Sequence, residues 1–163
     1  MDSFMLACSK GDIDLFNSLK DELKLTTDYK RDALYIACHH GHLNIVRALC
    51  RPPFSLAHDD AVSNHCYALV DACLGGHAHI VRALSNPPYS LSREALDKSP
   101  RDMLASACNT GDLYTLQLLT RPPYSLDRVY SKSFFDHCLF TAKANGYEHI
   151  VRFLTQPPLN IGS

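Results

Sequence analysis

Five glycines, Gly11, Gly41, Gly76, Gly111 and Gly146, lie 30, 35, 35 and 35 residues apart. Two more columns keep that spacing. One is Ala7, Ala37, Ala72, Ala107 and Ala142; the other is Phe4, Leu34, Leu69, Leu104 and Leu139. The pairs Pro52-Pro53, Pro87-Pro88, Pro122-Pro123 and Pro157-Pro158 recur every 35 residues. Self-similarity at a fixed period of this size marks an array of one small module, stacked on copies of itself. The register predicts a single domain, 1–163, made of repeats at about 1–30, 31–65, 66–100, 101–135 and 136–163.

Each repeat reads as two short helices. From Ala33 to His40, Leu34, Ala37 and Cys38 share one helical face. Asp32 is the expected N-cap, with Asp2 and Asp102 in the same column. Gly41 ends this helix, because a left-handed residue closes a helix at least cost when it is glycine. His42 to Cys50 forms the second helix, with Ile45, Val46, Leu49 and Cys50 on one face. Pro52-Pro53 stops it, since proline has no N–H to donate. Leu56 recurs as Leu91, Leu126 and Ile161, so each connection is anchored once. Helix pairs this short are unstable alone and become stable by sharing a core. The predicted class is therefore all-α, a helical repeat solenoid.

The segments that carry the repeat are Asp32-Ala33-Leu34-Tyr35-Ile36-Ala37, Gly41 to Leu49 (GHLNIVRAL) and Gly76 to Leu84 (GHAHIVRAL). Gly146 to Leu154 follows the same pattern with Tyr147 in place of the histidine. This resembles the ankyrin repeat, over essentially the whole chain. The resemblance implies an ankyrin-like solenoid of five two-helix units that recognises a protein partner without catalysis. It places contacts on the concave side, through the fingers between repeats and the two residues before each glycine. Those pairs are Ser9-Lys10, His39-His40, Leu74-Gly75, Asn109-Thr110 and Ala144-Asn145. His39, His40, Leu74, Asn109 and Thr110 are the candidates from that set. Tyr130, Phe134 and Phe135 join them, as side chains that the finger Val129 to Phe135 is expected to expose.

The chain departs from the family in two ways. The histidine that follows the family's conserved leucine is replaced by Met5, Tyr35, Val70, Ala105 and Phe140. The turn-to-turn hydrogen bonds of that histidine are therefore expected to be missing. The period is also 35, which lengthens the finger from Ala57 to Cys66 and leaves no glycine at its tip. The segment Ser92 to Leu96 suits a short helical turn, and a hairpin stays open as the alternative. Divergent arrays of this style resemble those of intracellular bacteria and large viruses that act on host proteins. That likeness implies an effector-like role in a host cytoplasm; a monomer in the cytoplasm is expected in any case, and a scaffold segment of a longer protein whose activity lies elsewhere is the alternative.

Composition narrows the partner class. Sixteen Lys+Arg against seventeen Asp+Glu give a net charge of -1, which supplies no general attraction to nucleic acid or an anionic membrane. No apolar run reaches the ~18 residues of a membrane span. The start, Met-Asp-Ser-Phe-Met, has neither the basic nor the apolar part of a signal peptide. Seven cysteines, an odd number, then read as reduced thiols. Four of them, Cys8, Cys38, Cys73 and Cys108, form a column that suits small buried filler. Column mates on neighbouring helices sit on the order of 10 Å apart, too far for a disulfide.

Chemistry-bearing clusters are few. Cys38-His39-His40-Gly41-His42 is the most metal-like run. Zinc needs four converging ligands, and a buried Cys38 would point away from histidines at the helix end. A His/Cys metal protein is therefore the weaker alternative, and no cofactor is expected. No nucleophile elbow, zinc-protease helix, phosphate loop or dinucleotide fingerprint occurs. Arg47, Arg82 and Arg152 form a basic column, read as a solvated face near helix C-termini. Phe54, Tyr89 and Tyr124 follow the proline pairs and are expected to pack with the anchors beside them. Phe153, Leu154 and Ile161 are expected to leave the last repeat apolar where a terminal repeat needs a polar face.

Overall fold

The computed structural model describes residues 2–20, 26–52, 54, 56, 67–86, 100–121 and 131–156. Among them are ten helices and no strand. The chain divides into two compact bodies, 1–96 and 97–163. The N-terminal body holds α1 (Ser3–Lys10), α2 (Ile13–Leu19), α3 (Thr27–His39), α4 (Leu43–Cys50), α5 (Tyr67–Leu74) and α6 (Ala78–Ser85). The C-terminal body holds α7 (Pro100–Thr110), α8 (Leu113–Thr120), α9 (Lys132–Ala144) and α10 (Glu148–Thr155). The fingers at 57–66, 91–99 and 122–130 lie outside the described residues, as do Tyr89, Tyr124 and Ile161.

The chain reverses the same way in every repeat. Each recurrent glycine has positive φ, from 71° to 82°. The residue after it donates its backbone N–H to the carbonyl of the repeat alanine. Asp12 bonds to Ala7 at 3.0 Å; His42 to Ala37, His77 to Ala72, Asp112 to Ala107 and Tyr147 to Ala142 are each 2.9 Å. This is the glycine closure that satisfies the last helical carbonyls. The alanine column thus has two physical roles. Its methyls are fully buried, which lets helices approach closely, and its carbonyls fasten the turn.

Helix ends differ from the sequence expectation in an instructive way. Asp2 does cap α1, accepting from Met5 N at 3.0 Å. Asp32 caps nothing, because α3 starts five residues earlier behind Thr26, whose hydroxyl accepts from Tyr29 N. Asp102 lies inside the first turn of α7. The early start of α3 brings Tyr29 onto the first repeat, where its hydroxyl donates to Asp2 and its ring lies 5.9 Å from Phe4. At the other ends, Arg51, Asn86, Arg121 and Gln156 are all extended, with ψ between 152° and 161°. Each immediately precedes a proline, whose ring disfavours a helical neighbour, so the second helices stop one residue before the pair.

Packing follows the columns. In the N-terminal body α1 packs on α3 and α3 on α5, while α2 packs on α4 and α4 on α6. In the C-terminal body α7 packs on both α8 and α9, and α9 on α10. Phe4, Leu34, Leu69, Leu104 and Leu139 are buried, as are Ile45, Ile80 and Ile150 and then Leu49, Leu84, Leu119 and Leu154. Each large aliphatic side chain so buried contributes roughly 1.5–3 kcal/mol. Leu56 is buried as expected of an anchor. Phe54 packs across repeats, 6.3 Å from the Phe16 ring and beneath Lys30.

The cysteine column is buried filler. Cys8, Cys38, Cys73 and Cys108 are fully enclosed, and none of them is in a disulfide. Burial pushes the Cys8 thiol up to about 12, which removes its thiolate at neutral pH. Cys108 meets Cys138 of the neighbouring helix rather than a column mate; that hydrogen bond and its burial hold the thiol above the usual range.

Two of the apolar groups expected on the face of the last repeat are covered. Leu154 is fully buried, and Phe153 is half-buried beneath the Arg121 guanidinium at 5.8 Å. The cysteine column ends in Lys143, which is exposed. A charge therefore stands where four earlier repeats bury a thiol.

One cap is itself buried. Asp112 accepts from Thr115 N at 2.9 Å and from the Thr115 hydroxyl at 2.5 Å, and both residues are nearly or fully buried. Asp112→Ala strands both donors at the start of α8. It is expected to cost about 2 kcal/mol, read as a lower urea midpoint, whereas Asp112→Asn keeps a capping oxygen and should lose much less.

Candidate partner-binding surface

His39 ends α3 and His40 follows it, and both side chains are exposed. Their rings meet edge-on at 5.3 Å, and His40 stacks on His42 at 6.3 Å. Partial burial holds His40 below the ordinary imidazole range, aided by repulsion from His39, His42 and His77. Asp71 of α5 also bears on this patch. Burial raises its carboxyl, and nearby His39 partly offsets the rise. Leu74, on the same helix, is 41% exposed.

A hydrogen-bond ladder fixes these positions from behind. His42 Nε2 bonds the Ser9 carbonyl at 2.8 Å, and His77 Nε2 bonds the His39 carbonyl at 2.8 Å. A second rung reaches the glycines. Asn44 Nδ2 donates to the Gly11 carbonyl at 3.2 Å, and His79 Nε2 bonds that of Gly41 at 3.1 Å. In the C-terminal body, His149 Nε2 bonds the Gly111 carbonyl at 2.8 Å. Bonds between turns are thus present, although the family's usual histidine is not. The imidazoles directly after Gly41 and Gly76 supply the first rung, and Asn44, His79 and His149, each three residues after a repeat glycine, supply the second.

The same rings fill the space beside the preceding glycine. A Cβ on Gly41 would lie 2.7 Å from His77 Cε1, and one on Gly111 would lie 3.0 Å from the Tyr147 ring. The glycine column is therefore a row of sockets as well as a row of turns.

Asn109 and Thr110 are exposed at the end of α7. Asn109 is partly engaged within its own body. Asn145 Nδ2 donates to the Asn109 carbonyl at 3.3 Å and to its Oδ1 at 3.2 Å. The Thr110 hydroxyl donates to the Ser106 carbonyl at 2.8 Å.

Two expected anchors are corrected. Phe134 and Phe135 are not exposed finger residues. They lie in the first turn of α9 and are buried, with rings 5.4 Å apart and Arg101 covering Phe134 at 5.3 Å. The first helix of the repeat begins earlier than the eight-residue pattern suggested, so these positions face the core. Tyr130 lies outside the described residues. The metal-like run does not converge either. Cys38 is fully buried while His39 and His40 face outward, and no group of three metal-ligating residues is placed to hold an ion among the described residues. Arg47 and Arg82 are exposed on α4 and α6, and Arg152 on α10.

Beyond this geometry, a sequence model of ankyrin repeats matches residues 4–95 as three copies. The chain belongs to the ankyrin repeat family. Ankyrin repeats are generally protein–protein interaction modules and typically non-catalytic. No curated protein and no solved structure gives a match. Among the described residues of this ankyrin chain, no helix is long and apolar enough to cross a membrane.

The histidine patch gives the ankyrin fold a pH dependence. His40 titrates below its unfolded value of 6.5, so the unfolded chain takes up its proton first as pH falls. Stability from this residue is present above pH 6.5 and is lost as pH falls from there through the lower folded value. Thermal melts at pH 7.5 and 5.5 should show the chain falling more steeply than its His40→Gln variant, by up to about 2 °C for so exposed a group.

Proposed function

We propose that this ankyrin chain recognises a protein partner through the side chains that precede the repeat glycines. His39 and His40, with Leu74, form the contact set on the N-terminal body. Asn109 and Thr110 form that on the C-terminal body. The observation that carries this reading is the ladder beneath His39. The frame takes its backbone carbonyl and leaves both imidazoles exposed. Side chains so held are preorganised, and binding then avoids much of the ordering cost a flexible segment meets. On this reading the chain acts without catalysis, as a single-domain monomer in the cytoplasm of a cell or its host.

Affinity capture from a eukaryotic lysate tests it, with wild type, His39→Ala/His40→Ala and Asn109→Ala/Thr110→Ala as baits. Both variants should melt within about 2 °C of wild type, as surface changes usually do. A protein retained by wild type and lost by at least one pair is the expected result. Equal retention by all three baits rejects the assignment of these residues.

A further inference from the structure

The outer face of α9 and α10 carries a groove of about 540 Å³, lined by Lys143, Gly146, Glu148, Val151, Arg152 and Thr155. Three observations define what fits it. First, no hydrogen bond or ion pair engages the side chain of Lys143 or Arg152 among the described residues. Glu148 sits in the first turn of α10, where the helix dipole favours a carboxylate, and does not pair with Arg152 four residues on. Second, the Gly146 socket is open. The sockets at Gly11, Gly41 and Gly111 hold the rings of His42, His77 and Tyr147, whereas nothing lies within 4 Å of the Cβ position at Gly146. Third, Phe140, one turn before Lys143 on the same side of α9, is 70% exposed.

The occupant cannot be simply another repeat of the same kind. Such a repeat would cover the column where Cys8, Cys38, Cys73 and Cys108 are buried, and here that column holds an ammonium group. Covering an unpaired charge is costly, so whatever covers Lys143 must bring an anion. Beside it, the space that a ring occupies at three earlier glycines is open.

The geometry points to this groove as a docking site for an acidic peptide segment bearing an aromatic side chain. The ring enters the Gly146 socket, and flanking carboxylates pair with Lys143 and Arg152 as charge-assisted hydrogen bonds. The site lies on the C-terminal body and is independent of the His39–His40 patch.

The test is fluorescence anisotropy on the full chain with a labelled peptide, Glu-Asp-Glu-Tyr-Glu-Asp-Glu. Two controls accompany it, one with every acid replaced by its amide and one with Gly replacing Tyr. The acidic aromatic peptide should bind saturably and weaken as salt rises. Its affinity should fall tenfold or more with Lys143→Glu/Arg152→Glu, and by a similar factor in either control peptide. Circular dichroism establishes that the variant is folded, and His39→Ala/His40→Ala should bind the peptide as wild type does. Binding of the amide peptide as tightly as the acidic one overturns the proposal, as does unchanged affinity in the charge-reversed chain or the absence of saturable binding. A concentration-dependent dimer abolished by Lys143→Glu/Arg152→Glu would assign the face to a second copy instead, and also overturn it. None of these failures decides the lysate capture, which reads the loss of His39–His40 or Asn109–Thr110 rather than of Lys143 and Arg152.

Discussion

Gly41→Val is expected to lose about 3 kcal/mol and to melt roughly 10 °C below wild type. Two costs add. The backbone at residue 41 sits at φ 82°, a region a β-branched residue enters only under strain. Its Cβ would also fall 2.7 Å from the His77 ring, and moving that ring breaks the 2.8 Å bond to the His39 carbonyl. The contributions can be separated. Gly41→Val combined with His77→Ala removes the collision and keeps the strained backbone. It should therefore melt higher than the sum of the two single changes predicts. Strict additivity in thermal melts would show that the ring and the glycine do not share a socket.

Phe16→Ala is expected to cost 3–5 kcal/mol, the range for emptying a buried aromatic site. Phe16 is fully buried, 5.1 Å from Phe4 and 6.3 Å from Phe54. It stands in the column that later repeats fill with Val46, Val81, Leu116 and Val151. The first repeat uses a larger side chain there because two more rings, Phe54 and Tyr29, converge on Phe4 and Phe16 from the second repeat. Phe16→Leu should recover most of the loss, since it restores volume without the ring edge. A urea midpoint for Phe16→Ala close to wild type would mean that this aromatic group does not hold the first repeat in place.

The turns and the core were legible because they recur. One glycine in the wrong register could mislead, but five in step with alanines four places before them could not. Helix starts were harder. Asp32 and Thr26 are equally good caps by chemistry, and the choice between them is made by Tyr29, which gains a contact with Asp2 and Phe4 only once two repeats are stacked. The same effect hid Phe134 and Phe135, which look like finger residues until the helix is extended backwards over them. The ladder was missed for another reason. Only His42 and His77 stand in Gly-His pairs, and a side chain that bonds the carbonyl of a residue 38 positions earlier leaves no local pattern. The candidate contact residues came from the ankyrin resemblance, and His39, His40, Leu74, Asn109 and Thr110 are exposed.

The rung from His77 ends on a main-chain oxygen, and every amino acid carries that oxygen. The same holds for the rung from His42 to Ser9. On the proposed reading, scaffold and specificity are therefore written in separate alphabets on this chain. Residues 9 and 39 can be rewritten without loosening the joints between repeats, whereas rewriting 42 or 77 loosens a joint while leaving the identities of residues 9 and 39 untouched. Selection for a new partner can act on the first set alone, and a library randomised at such positions should stay folded across most of its members.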